Sequence, residues 1–129
     1  MKVNLHFKKN TIDTKYHEMF IKFVNFLQKE IPLENGVDIY FLGDREVQMS
    51  TGSRHSDSKI YVLASKRMNR DILRTIAHEW VHEYQMSVLG RKQGPNIGGR
   101  NEDEANALAG NLVKIFEELF PNYREFEYE

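Results

Sequence analysis

The sequence predicts an α+β fold in which helices pack on one small sheet. Three observations carry that prediction. Short runs with a two-residue apolar period occur near the start and in the middle of the chain, as half-buried strands require. Longer runs with apolar residues every three or four positions lie between and after them, as amphipathic helices require. The order is strand, helix, a β-rich middle and two closing helices, with no repeat, low-complexity tract or linker. At 129 residues the chain is expected to form one domain over 1–129, long enough for one core but not for two.

The elements follow in order. In "KVNLHFK" (2–8), Val3, Leu5 and Phe7 alternate with polar neighbours, which predicts a strand. Asp13 or Thr14 can cap a helix running to about Glu30, whose stripe is Met19, Phe20, Phe23, Val24, Leu27 and Ile31; Pro32 ends it. "VDIYFL" (37–42) and "EVQMS" (46–50) flank a turn-like "GDR", which predicts a hairpin, and "KIYVLA" (59–64) is a further strand. The polar "TGSRHSDS" (51–58) between them predicts a loop. Asn69 is the expected cap of a helix from about Arg70 to Leu89, stopped at Gly90. A Gly-rich connection (90–100) leads to a last helix, capped by Asn101 and terminated by Pro121. The sheet is thus small, and three helices pack against it.

Composition narrows the function. A net charge of −1 gives no electrostatic reason to expect nucleic acid or a membrane surface as partner. No run approaches the ~18 apolar residues of a membrane span, and the first ten residues lack the apolar core of an export signal. There is no cysteine, which fits a reducing cytoplasm and excludes a thiolate site. Any metal must be held by His, Asp and Glu.

The chain has 5 histidines, and two of them stand four apart in "TIAHEWVHEYQ" (75–85). On a helix, residues i and i+4 lie about 40° apart in azimuth and ~6 Å apart along the axis. His78 and His82 therefore point the same way, with Thr75, Glu79 and Met86 in the same arc. Leu73, Ile76, Ala77, Trp80, Tyr84 and Val88 occupy the opposite side, which predicts a core-facing back and a front offered to a cleft. H-E-x-x-H on a helix is suited to zinc: two neutral imidazoles bind the ion, and the glutamate is angled toward water rather than toward the metal. The bland alternative is two half-exposed histidines beside a solvated charge.

A zinc site open to water needs a third protein ligand. Residues 102, 103 and 104 are all acidic. Helical geometry puts Glu102 on the stripe of Ala105, Asn106, Ala109, Leu112, Val113 and Phe116, while Asp103 and Glu104 share a side with Asn111, Lys114, Glu117 and Glu118 that reads as solvated. A carboxylate on an apolar stripe needs a partner, so Glu102 is the expected third ligand. Asp103 and Glu104 are explained by the positive end of the helix dipole alone. The small Ala105, Ala109 and Gly110 are expected to let this helix approach its neighbour.

H-E-x-x-H followed by Glu102-x-x-Ala105-Asn106-x-Leu108-Ala109 resembles the gluzincin branch of the zincin metallopeptidases, and the second motif is similar to E-x-x-A-[ND]-x-[FL]-A of the ImmA/IrrE-type peptidases. The resemblance spans roughly residues 72–113. It implies a zincin-like fold: a small mixed sheet, an N-terminal helix, an active-site helix and a C-terminal third-ligand helix. It further implies one Zn²⁺ per chain held by His78, His82 and Glu102, Glu79 as the general base, and Asn106 as a residue supporting the first histidine. After Ala109 the chain departs from the family's usual apolar continuation with "GNLVKIF", and no regulatory domain is present in the sequence.

The function expected from these residues is zinc-dependent hydrolysis of peptide bonds in a peptide or protein substrate, with Glu79 moving the proton. A further donor for the carbonyl oxygen is open among Arg54, His55, Tyr84, Arg100 and Tyr123. His6 and His17 read as structural. An edge strand, "EVQMS" or "KIYVLA", is expected to pair with extended substrate. The alternative is a zinc-stabilised protein-interaction module without hydrolytic activity.

Overall fold

The computed structural model describes residues 3–9, 11–43, 52–53, 58–91 and 99–129. The described elements are β1 (Val3–Phe7), a 3-10 turn (Thr14–Tyr16), α1 (His17–Glu30), β2 (Val37–Leu42), β3 (Gly52–Ser53), β4 (Lys59–Leu63), α2 (Asn69–Ser87), α3 (Arg100–Leu119), a second 3-10 turn (Pro121–Tyr123) and α4 (Arg124–Glu127). The sheet order is β1-β2-β4-β3. The first three of these strands are parallel, and β3 closes the edge antiparallel to β4. The fold is mixed α and β, as the periodicities predict.

The side chains of the parallel strands alternate between two environments. Val37, Ile39, Phe41, Ile60 and Val62 are buried against the helices, whereas Asn4, His6, Asp38, Tyr40 and Tyr61 lie on the other face and are exposed or half-buried. There, paired registers line up His6, Tyr40 and Tyr61, whose rings stack at 4.4 and 5.2 Å. His6 also binds Asp38 at 3.1 Å. His17 stacks on Phe7 at 3.8 Å and bonds the Ile12 carbonyl at 3.0 Å. Both histidines are structural in this sense.

The helices form around one core. α1 buries Met19, Phe20, Phe23, Val24, Phe26 and Leu27, so its stripe is wider than expected by Phe26, while Ile31 is half-buried at its end. Trp80 on α2 is fully buried and donates its indole N–H to the Ile31 carbonyl at 2.8 Å, pinning the end of α1 to the middle of α2. Arg67 fixes the entry of α2 by donating to the Leu63 carbonyl and to Thr75 Oγ1. Gly90, at φ +69°, takes the left-handed turn after α2, and Arg91 N–H bonds the Gln85 carbonyl at 2.8 Å.

Several expectations change. Asp13 caps the 3-10 turn, not α1 itself. Asn69 is not the cap of α2: the helix starts on it, Met68 is the capping position, and the Asn69 amide donates instead to the Phe126 carbonyl. Asn101 is likewise inside α3, whose capping position is Gly99. The predicted loop 51–58 contains β3. The expected hairpin partner, 46–50, lies outside the described residues; β2 has β1 on one edge and β4 on the other. "KIYVLA" is not a free edge either, because β2 and β3 flank β4. Pro121 does end the last long helix, but the chain continues into α4, which packs back on α2. No helix among the described residues is long and apolar enough to cross a membrane.

Candidate metal centre

Among the described residues, α2 and α3 make the most extensive pairing of helices. On α3, Ala105, Ala109, Leu112, Val113 and Phe116 are buried; the small side chains at its start let its first turn sit against the histidine face of α2. That contact places Glu102 over the imidazole pair. His78 Nε2 is 3.0 Å from Glu102 Oε1, and His82 Nε2 is 2.9 Å from Glu102 Oε2. The two Nε2 atoms are 3.1 Å apart, with the rings at 84° to each other. His82 is buried, while His78 and Glu102 are half-buried and form the open side of the cluster.

The hydrogen-bond directions decide what the cluster suits. Gln85, fully buried, places Oε1 2.9 Å from His82 Nδ1. Its Nε2 donates to the Asn101 carbonyl at 3.0 Å and to Glu104 Oε1 at 2.9 Å. A peptide carbonyl and a carboxylate only accept, so the amide has one orientation, and Oε1 faces the ring. His82 Nδ1 therefore carries a proton. In the neutral ring, Nε2 is then a lone pair directed at a carboxylate oxygen and a second imidazole nitrogen. Electron-rich atoms at such distances repel unless positive charge, a proton or a cation, stands among them. The two nitrogens are 3.1 Å apart and each meets a different oxygen of Glu102, at 3.0 and 2.9 Å; donor atoms around a tetrahedral zinc with ~2.0–2.1 Å bonds stand about 3.3 Å apart, a spacing of the same order. His78, His82 and Glu102 can hold a metal ion.

No family model matches the chain, and neither the curated proteins nor the solved structures give a match. The site thus stands on its own geometry.

The other residues singled out in the sequence fall as follows. Glu79 is buried on α2, beside His78 in sequence. Asn106 is exposed, and no hydrogen bond to it is found among the described residues; the amide that meets a histidine is Gln85. Glu104 is not on a solvated side: it is half-buried and accepts from Gln85 and from Arg91. The Gln85 amide, and after it Arg91, hold its carboxyl below the usual carboxylate range against the opposing effect of burial. Tyr84 packs on the core. Tyr123 stacks on Phe116, fourteen residues and so about 21 Å of helix from Glu102, which removes it from the site. Arg100 is exposed at the start of α3; Arg54 and His55 lie outside the described residues.

The front of α2 is also less open than its amphipathic pattern suggested. Glu79, His82, Glu83 and Gln85 are all buried: α3 meets His82 and Gln85, while Glu83 accepts from Ser58 Oγ at 3.2 Å beside β4. Gln85 had a sequence signal: three residues after His82, it sits about 20° from His78 in azimuth, on the ligand face.

Proposed function

We propose that the chain is a zinc-dependent metallopeptidase of the zincin type, in which His78, His82 and Glu102 are the zinc ligands and Glu79 is the general base. The observation that carries this reading is the clustering of two imidazoles and one carboxylate, from two different helices, with His82 buried and His78 and Glu102 partly exposed. Zinc bound there supplies Lewis acidity, polarising a carbonyl and bringing the pKa of water to about 7. The protein's part is positional. α2 holds the two imidazoles through its buried back, and α3 brings the carboxylate that would offset half of the ion's charge. Glu79 follows His78 on α2 and in this reading takes the proton from the attacking water and delivers it to the leaving amine nitrogen.

The substrate class, a peptide or protein, follows from the sequence resemblance, and the same resemblance leaves room for a regulatory partner. The test is Glu79→Gln, which preserves shape and removes the base. For a peptidase, this variant keeps one zinc per chain and loses roughly 10²–10⁴-fold in turnover of a mixed peptide library. A zinc-stabilised interaction module predicts something different: zinc-loaded wild-type protein cleaves nothing in that library, and Glu79→Gln changes nothing.

A further inference from the structure

Gln85 has more polar contacts than a core residue of its size needs, and their arrangement is informative. One oxygen meets His82 Nδ1, while one amide nitrogen reaches both the Asn101 carbonyl and Glu104 on α3. Its own carbonyl accepts from Arg91 N–H, and the Arg91 guanidinium reaches Glu104 Oε1 at 2.8 Å. Neither Gln85 nor Glu104 belongs to the three metal-ligating side chains.

We propose that Gln85 is the positioning residue of the metal centre: it fixes His82 in the tautomer that frees Nε2 for the ion, and it ties that tautomer to the docking of the helix that carries Glu102. This rests on the metal-site reading above. The physical basis is the one-way polarity of the amide. Were its oxygen and nitrogen exchanged, an N–H would face His82 and the oxygen would face two acceptors; the α3 partners forbid this, so α3 dictates the state of a ring on α2. Imidazole ligands are commonly oriented by an acceptor on the far nitrogen, and loss of such a partner typically costs 10–100-fold in metal affinity.

Zinc affinity by chelator competition, the visible spectrum of the Co²⁺ form and the melting temperature of the metal-free protein test this together. Gln85→Leu keeps the volume and removes the acceptor; it is expected to bind zinc about 10–100-fold more weakly, to shift the Co²⁺ bands, and to lose the slowly exchanging His82 Nδ1 proton in NMR spectra of the zinc form. Leu112→Ala, a core truncation on α3, lowers the melting temperature and is expected to change affinity less than about threefold, which separates ring orientation from general helix packing. The inference is overturned if Gln85→Leu binds zinc within about threefold of wild type, or if Leu112→Ala weakens binding as much as Gln85→Leu does. If wild-type protein shows no zinc binding sensitive to His78→Ala, the metallopeptidase reading falls as well; if wild type binds and only the Gln85 effect is missing, that reading stands.

Discussion

A methyl group added at Gly110 would meet nothing within 4 Å, although the residue lies in the middle of α3. Glycine in a helix interior costs roughly 0.5–1 kcal/mol relative to alanine, so Gly110→Ala should stabilise the protein by about that much, read as a higher urea midpoint at unchanged slope. The close approach of α3 therefore comes from Ala105 and Ala109, both fully buried, and not from Gly110 as its size suggested. At this scale the sequence was informative wherever azimuth decides. His78, His82 and Glu102 could be placed on facing sides because helical phase follows from residue number alone. The partners of Gln85 and Glu104 could not be read, because the partner of a polar side chain depends on which atoms of the neighbouring helix arrive beside it. Asn106 followed from the motif resemblance, and α3 presents it to solvent instead.

The pairing of α2 with α3 is the element on which the site depends. Ala105 lies one turn after Glu102 and has no exposed surface. Ala105→Leu should force the helices apart, costing about 1–3 kcal/mol of stability, and should draw Glu102 away from the imidazoles. The expected signature is a lower melting temperature together with a smaller difference between zinc-loaded and chelator-treated protein; a full-sized difference would show that the helix spacing does not set the site. The long elements were legible because their apolar period spans several turns. The short ones were not. β3 has two residues and no period to detect, and α4 is held by contacts with α2, including the Asn69 amide on the Phe126 carbonyl at 2.9 Å, that no local pattern announces. The same contact explains why Asn69 resembled a cap and is not one: its side chain is committed to the end of the chain.

For the molecule as a whole, two features link folding to solution conditions. Glu127 is fully buried, and neither carboxyl oxygen has a hydrogen-bond partner among the described residues. Burial, reinforced by the Glu117 carboxylate, pushes its pKa up to about 7, with Arg70 and Arg124 opposing the shift. A carboxyl raised in the folded state stabilises it fully below the unfolded value of about 4.5, and that contribution is lost as pH rises through 7. On the order of 2–3 kcal/mol should disappear across this window. Glu127→Gln, a neutral mimic of the protonated side chain, should melt above wild type at pH 8 and show a flatter profile; equal pH profiles for the two proteins would refute the assignment. The second link is the ion itself. A ligand bound only by the folded state adds about 2.7 kcal/mol at a hundredfold excess over Kd, so chelator should lower the melting temperature of wild type by several degrees and leave His82→Ala unmoved.

Most direct of all is a count of zinc per chain in protein dialysed against metal-free buffer, with the coordination shell read by X-ray absorption. The account predicts one zinc with two imidazole nitrogens and carboxylate oxygen in its shell, and a loss of that zinc in His78→Ala, His82→Ala and Glu102→Ala alike. Zinc well below one per chain, or full occupancy that survives removal of Glu102, would contradict it.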